Sequence, residues 1–249
     1  MIDTVTFDLW NTLITSSPMD NLKFKNKRIE GFIEILSQIN VDINREKMEK
    51  AYDESFRRYK AIQDREEDIS TREQVQIILE CLENPEFLEL DEVVLSKLEE
   101  VLATQLLSDL PELTSGTQET LSYLKDRNYK IGLICNTGRS PGRILRQVLK
   151  RRRILQFFEV LTFSDEQRVR KPNPKIFLHT LEKLLSVPAT SLHIGDELKS
   201  DILGAKRSGM KAGWFMPKQD RCQMDFLPEE KPDFILPHLT SLKDILVQT

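Results

Sequence analysis

The sequence predicts an α/β protein: a parallel sheet with helices on both faces, interrupted near its N-terminus by an all-α insertion of about four helices. Three features of the chain point there. Residues 4 to 10 (TVTFDLW) form a short β-branched and aromatic run carrying a carboxylate. From about residue 20 to 108, apolar residues recur at helical spacing. Beyond Pro111, short apolar runs alternate with helical stretches, as in consecutive β-then-helix units that build a parallel sheet covered on both sides.

The first run reads as a buried strand entering a turn at Asn11 and Thr12. In the insertion, Ile29, Phe32, Ile33 and Leu36 mark one helix, and Met48, Tyr52, Phe56 and Tyr59 a second. Val75, Ile78, Leu79 and Leu82 mark a third, opened by a capping box of Ser70 and Glu73; Val94, Leu98, Val101 and Leu102 mark a fourth. The charged stretches REKMEK and DREED read as its outer faces. The alternating region predicts helix 116–127, strand 130–135, helix 140–150, strand 158–163, helix 174–186, strand 191–195, helix 199–208 and strand 211–216. A short strand, DFIL, and a last helix from about 240 follow.

A length of 249 residues suits a main domain carrying an insertion, and 39% hydrophobic with 31% charged residues suits a globular chain that buries a core. The net charge of −4 gives no electrostatic case for nucleic acid or an anionic membrane as a partner. MIDTVTFDLWNTLI lacks the basic and long apolar regions of a signal peptide, and no apolar run approaches the ~20 residues that span a bilayer. Cys81, Cys135 and Cys222 are odd in number and widely spaced, which fits reduced thiols and a cytoplasmic location. The run KRRR at 150–153 reads as a solvated helix end, and His179, His193 and His238 have no partners at metal-ligand spacing.

Parallel sheets bind ligands beyond the carboxyl ends of their strands. Those ends offer Asp8; Cys135, Asn136 and Thr137; Lys171 from a loop; and Asp196. Two carboxylates at adjacent strand ends repel unless a cation neutralises them, and Mg2+ with oxygen ligands is the natural candidate. Such a cation lowers the charge penalty when Asp8 attacks a phosphate ester, Lys171 adds positive charge, and backbone N–H groups after Asp8 cradle the transferred group. An aspartyl-phosphate forms and water hydrolyses it.

FDLWNTL at 7–13 resembles the signature of the haloacid dehalogenase superfamily, whose phosphatase form is Asp-x-Asp-Gly-Thr-Leu. RKPNPKIF at 170–177 resembles the third motif of that superfamily, and IGDELKSDILGA at 194–205 the fourth. Their order and separation match too, and the insertion lies where the family places a helical cap. The resemblance implies a Rossmann-like core of residues 1–15 and 109–249, a cap of 16–108, and a Mg2+-dependent phosphatase acting on a small phosphorylated metabolite, as a monomer or homodimer. It also implies Asp8 as nucleophile, Lys171 as charge stabiliser, and Mg2+ held by Asp8, the Trp10 carbonyl and Asp196, with Asp201 in support. Thr12, Asn136 and Thr137 are the candidate phosphate-binding residues.

Two positions depart from the family pattern. Trp10 stands where phosphatases carry the Asp that shuttles protons, and an indole exchanges no proton at neutral pH, so general acid–base help of typically ~10²- to 10⁴-fold must be missing or come from elsewhere. Cys135 replaces the usual Ser or Thr, a place that Thr137 or Asn136 has to fill. An aromatic at the Trp10 place is also found in haloacid dehalogenases, whose leaving halide needs no proton. A metal-independent 2-haloacid dehalogenase and a binding protein with little turnover are therefore the alternatives; the intact IGDELKSD favours phosphoryl chemistry.

Overall fold

A computed structural model describes residues 1–15, 17–83, 87, 90–217 and 227–248. Cys222 lies outside the described residues. Among them, six strands form one parallel sheet: β1 (Thr4–Phe7), β4 (Lys130–Cys135), β5 (Val160–Phe163), β6 (Ser191–Gly195), β7 (Lys211–Phe215) and β8 (Phe234–Leu236), in the order β5-β4-β1-β6-β7-β8. The chain lays β4 and β5 to one side of β1 and then crosses to place β6 on the other. The reversal at β1 is a topological switch point, where the loops after neighbouring strands diverge and leave a crevice.

The central strands are apolar on both faces because helices cover both. Val5, Phe7, Ile131, Leu133, Leu192 and Ile194 are all fully buried. Helices α5 (Thr117–Asp126), α6 (Gly142–Arg151), α7 (Ser164–Gln167), α8 (Pro174–Lys183), α9 (Leu203–Arg207) and α10 (Leu242–Gln248) complete this part. The expected helix 199–208 is instead a wide π-type turn over Leu198–Ile202 that runs into α9. Such turns recur at functional sites, and here the turn carries Asp201.

The expected helical insertion is present as α1 (Pro18–Ser37), α2 (Arg45–Gln63), α3 (Thr71–Cys81) and α4 (Glu92–Thr104). Their facing stripes, among them Ile29, Phe32, Met48, Ile78 and Leu98, form an apolar cluster separate from that of the sheet. The Ser70–Glu73 capping box opens α3: Glu73 N–H donates to Ser70 Oγ at 3.3 Å, and Ser70 N–H donates to Glu73 Oε2 at 2.8 Å. Both chain crossings into the insertion are joined by a small antiparallel pair, β2 (Ile14–Thr15) with β3 (Glu112–Leu113), too short to leave a sequence signal. The basic run at the end of α6 serves the second crossing. Arg151 donates to the carbonyl of Leu107, and Arg152 to those of Leu110 and Pro111.

DREED is not wholly an outer face, because Asp68 at its end is 2% exposed. Tyr59 Oη donates to Asp68 Oδ1 at 2.6 Å, the Ser164 hydroxyl donates to Oδ2, and Arg170 Nη1 lies 3.3 Å from Oδ2. A buried carboxylate is tolerated when donors surround it, and these come from both the insertion and the sheet loops. Among the described residues, no helix is long and apolar enough to cross a membrane.

Candidate active site

Asp8 follows β1 directly, and its N–H donates to the Ile194 carbonyl of β6 at 2.8 Å. The chain then turns tightly: Asn11 adopts φ 56°, and the N–H groups of Leu13 and Ile14 both donate to Leu9 O. A short polar Asn tolerates that left-handed conformation better than a bulkier residue would. Asp196 follows β6 in the same way, with its carbonyl accepting from Trp214 Nε1 at 2.8 Å. Gly195 lets Asp201 approach: a Cβ there would sit 2.2 Å from the Asp201 carboxyl carbon.

The loop before α8 delivers Lys171, which is 3% exposed. Its ammonium lies 2.5 Å from Asp8 Oδ1 and 2.6 Å from Asp201 Oδ1. Asn136 fixes the Lys171 backbone at both ends, since its Nδ2 donates to Lys171 O at 3.0 Å and its Oδ1 accepts from Lys171 N–H at 2.8 Å. Asp201 is equally committed, for Oδ2 accepts from Glu197 N–H at 3.0 Å and Oδ1 lies 3.3 Å from His193 Nε2.

Burial pushes the Asp8 carboxyl up to about 7 despite the ammonium beside it, with the Asp201 charge adding to the rise. Burial, and then Asp201, raises Asp196 to about 6. Asp201 moves the other way: although burial opposes it, Lys171 and His193 hold it below the usual carboxylate range. The Lys171 ammonium is raised by the two carboxylates, which outweigh the burial that works against its charge. Burial keeps His193 neutral by lowering it. Because the Asp201 carboxylate only accepts, the His193 proton sits on Nε2, and Thr6 Oγ1, 2.9 Å from Nδ1, donates to that nitrogen.

Asp8, Asp196 and Asp201 each offer a carboxylate oxygen within 4.8 Å of the others. Three carboxylates against one ammonium leave the site with excess negative charge, and the Asp201 charge adds to what burial does at Asp8 and Asp196. A hard divalent cation with oxygen ligands fits that donor set.

Asp8, Trp10, Asn136, Lys171, Asp196 and Asp201 line one cleft of about 340 Å³. Thr12 and Thr137 do not line it. Thr12 is fully buried, and its hydroxyl has no hydrogen-bond partner among the described residues. Thr137 is 2% exposed; its N–H donates to Ser164 Oγ at 2.7 Å, and its hydroxyl faces Asp68 at 3.4 Å. Cys135 is a buried, protonated thiol, pushed well up by burial. Sequence reasoning missed Asn11, Arg170, Glu197 and Ser200, which also line the cleft. It also missed His193, whose position in the strand just before Gly195 and Asp196 was the one signal it offered.

Of the insertion, Tyr52 lines a second cavity next to this cleft. Tyr59 is buried, Arg57 and Arg58 pair with Glu54, and Lys60 pairs with Asp64.

Fold and site together define an α/β enzyme-type architecture with strand-end carboxylates at a switch point and a helical insertion after the first strand. The model of the haloacid dehalogenase-like hydrolases matches residues 2–209, and the chain belongs to that family. A glyceraldehyde 3-phosphate phosphatase of Pyrococcus furiosus is 35% identical over 131 residues, 53% of this chain and 53% of that one. A phosphorylated carbohydrates phosphatase of Thermotoga maritima is 29% identical over 143 residues, 57% of this chain and 62% of that one. The chain thus spans about half the length of the curated relatives it matches. Among solved structures, a 2-haloacid dehalogenase from Pseudomonas syringae pv. Tomato DC3000 superposes with a TM-score of 0.69 at 20% identity, covering 100% of this chain and 99% of that one. A HAD phosphatase from Thermococcus onnurineus superposes at 0.61 with 22% identity, covering 98% of both. At these identities the likeness is one of fold.

Proposed function

We propose that this chain is a Mg2+-dependent phosphatase of a small phosphate ester or acyl phosphate, working through an aspartyl-phosphate on Asp8. The convergence of Asp8, Asp196 and Asp201 around Lys171 carries the proposal, and the phosphatase names of the curated relatives support the reaction class. Residues 16–108 act as a cap over a core of 1–15 and 109–249.

Asp8 and Asp196, with the Trp10 carbonyl, would hold the cation, and Asp201 supports them. Bound there, Mg2+ supplies positive charge against the carboxylates and the phosphate oxygens. A carboxylate oxygen of Asp8 attacks phosphorus, the bond to the leaving oxygen breaks, and water then cleaves the acyl phosphate to return Asp8. Lys171 offsets the charge that gathers on Asp8 and the transferred group. Asn136 holds the Lys171 backbone, which makes it a positioning residue; Asp201 and His193 orient the ammonium. Trp10 leaves the departing oxygen without the family's proton donor, which favours aryl and acyl phosphates over alkyl ones.

Phosphate release from para-nitrophenyl phosphate and an acyl phosphate, measured with Mg2+ and with EDTA in wild type and Asp8→Asn, tests this. Turnover should need both Mg2+ and Asp8; activity that survives Asp8→Asn overturns the assignment. Mg2+ at about a hundred times its Kd should also raise Tm by roughly 5–10 °C in wild type and not in Asp196→Asn. Trp10 favours one second reading, dehalogenation, for which halide release from 2-haloacids in EDTA is the sign.

A further inference from the structure

A second cavity, of about 530 Å³, adjoins the carboxylate cleft and shares Trp10 and Asn11 with it. Helices α1 and α2 form one wall and the loop at 138–140 the other, with Trp10, Phe24, Tyr52 and Phe56 supplying apolar surface. Two arginines line it, Arg28 at 8% and Arg139 at 7% exposed. Among the described residues neither has a carboxylate partner. The cavity's other cation, Lys25, pairs with its one acid, Asp53, at 2.5 Å.

Both guanidiniums are held by neutral groups. Arg28 Nε donates to Leu102 O at 2.8 Å, and its Nη2 reaches Ser140 Oγ at 3.5 Å. Arg139 donates to Gln74 Oε1 at 3.2 Å and Ser55 Oγ at 2.9 Å, and lies over the Tyr52 ring at 4.8 Å. Its Nε is buried with no acceptor. Two neighbouring buried cations with an unmet donor are costly unless a ligand brings the missing negative charge. Burial lowers the Arg139 guanidinium, and the nearby Arg28 lowers it further.

We infer that this cavity receives the leaving group of the substrate, and that Arg28 and Arg139 select one bearing a second anionic group, a carboxylate or a phosphate. The inference rests on the phosphatase proposal for the adjoining cleft. A phosphate at Asp8 and Lys171 then leaves the rest of the molecule to pass Trp10, with its second anion on the arginines and its carbon skeleton against the aromatic walls. Charge-assisted hydrogen bonds in a desolvated pocket are worth about tenfold or more in discrimination.

The test compares kcat/KM for 3-phosphoglycerate, propane-1,3-diol bisphosphate and glycerol 3-phosphate, which carry a carboxylate, a second phosphate and no second anion. Wild type should prefer one of the first two over glycerol 3-phosphate by about tenfold or more, and which of them leads identifies the anion. In Arg28→Gln and Arg139→Gln the preference should collapse through KM. Should either fail to fold, the lysine variants keep the charge but not the planar fork and should lose part of the same preference. Equal kcat/KM for all three in wild type overturns the inference, as does an equal loss on all three in the variants, the mark of a structural role. If para-nitrophenyl phosphate is not hydrolysed at all, the phosphatase proposal fails instead. The arginines are then judged by thermal shift, where equal stabilisation by 3-phosphoglycerate and glycerol 3-phosphate overturns them.

Discussion

Lys171 Nζ lies 2.5 Å from Asp8 Oδ1, a contact between two buried side chains 163 residues apart in sequence. The same ammonium touches Asp201, so one cation holds two carboxylates that would otherwise repel. Lys171→Met should lower kcat by roughly 10²- to 10³-fold, the scale of losing a preorganised charge at the reacting group. Steady-state kinetics beside a circular dichroism spectrum checks this; a folded variant with wild-type kcat contradicts it.

Trp10→Asp places a titratable group at the family's proton-shuttle position. Alkyl phosphates should gain more than aryl phosphates, by about tenfold or more in kcat, because only the alkyl leaving group needs the proton. Equal change on both classes would show that proton supply is not the limitation.

Asp68 joins the insertion to the sheet loops through Ser164, Thr137 and Arg170, and Arg170 precedes Lys171. Asp68→Ala strips the counter-ion from Arg170 and the acceptor from three buried hydroxyls, those of Tyr59, Thr137 and Ser164. Urea denaturation should register a loss of about 3 kcal/mol, and kcat should fall as the Lys171 loop loosens. A loss in stability without any in kcat would separate the two roles of this contact.

Glu73 gives a pH dependence. The Arg168 guanidinium, with help from Ser70, lowers its carboxyl from 4.5 to about 2. A carboxyl lowered in the folded state stabilises fully above its ordinary value and loses that contribution as pH falls toward about 2. Wild type should therefore weaken between pH 4.5 and 2 more steeply than Glu73→Gln in chemical denaturation. Parallel slopes in that window would rule the ion pair out as a contributor.

Much of the fold was legible because buried strands and amphipathic helices write their burial into residue spacing, and Asp8 and Asp196 stood where strand runs ended. The Arg139 environment was not. An arginine after Gly138 reads as loop surface, and only the packing of α2 and α3 against that loop encloses it with Tyr52 and Gln74. Asp68 was hidden for a similar reason: one acid in an acidic run carries no periodicity to mark it as the one turned inward. The site carboxylates were visible one by one, while the Asn136 clamp on the Lys171 backbone depends on two loops 35 residues apart meeting. Thr12 and Thr137 looked alike as hydroxyls near strand ends, yet side-chain direction turns both away from the cleft.

Because Ile14 and Leu113 are register partners, the long excursion between them leaves and rejoins the sheet at one spot. The entropy of closing a loop grows only logarithmically with its length, by about 0.6 kcal/mol per doubling, so such an excursion lengthens or shortens at little thermodynamic cost. The six-strand sheet takes no strand from it. Natural variation and laboratory grafting can therefore rework the insertion on one stretch of gene while the carboxylate cluster of the sheet, encoded outside it, is inherited unchanged.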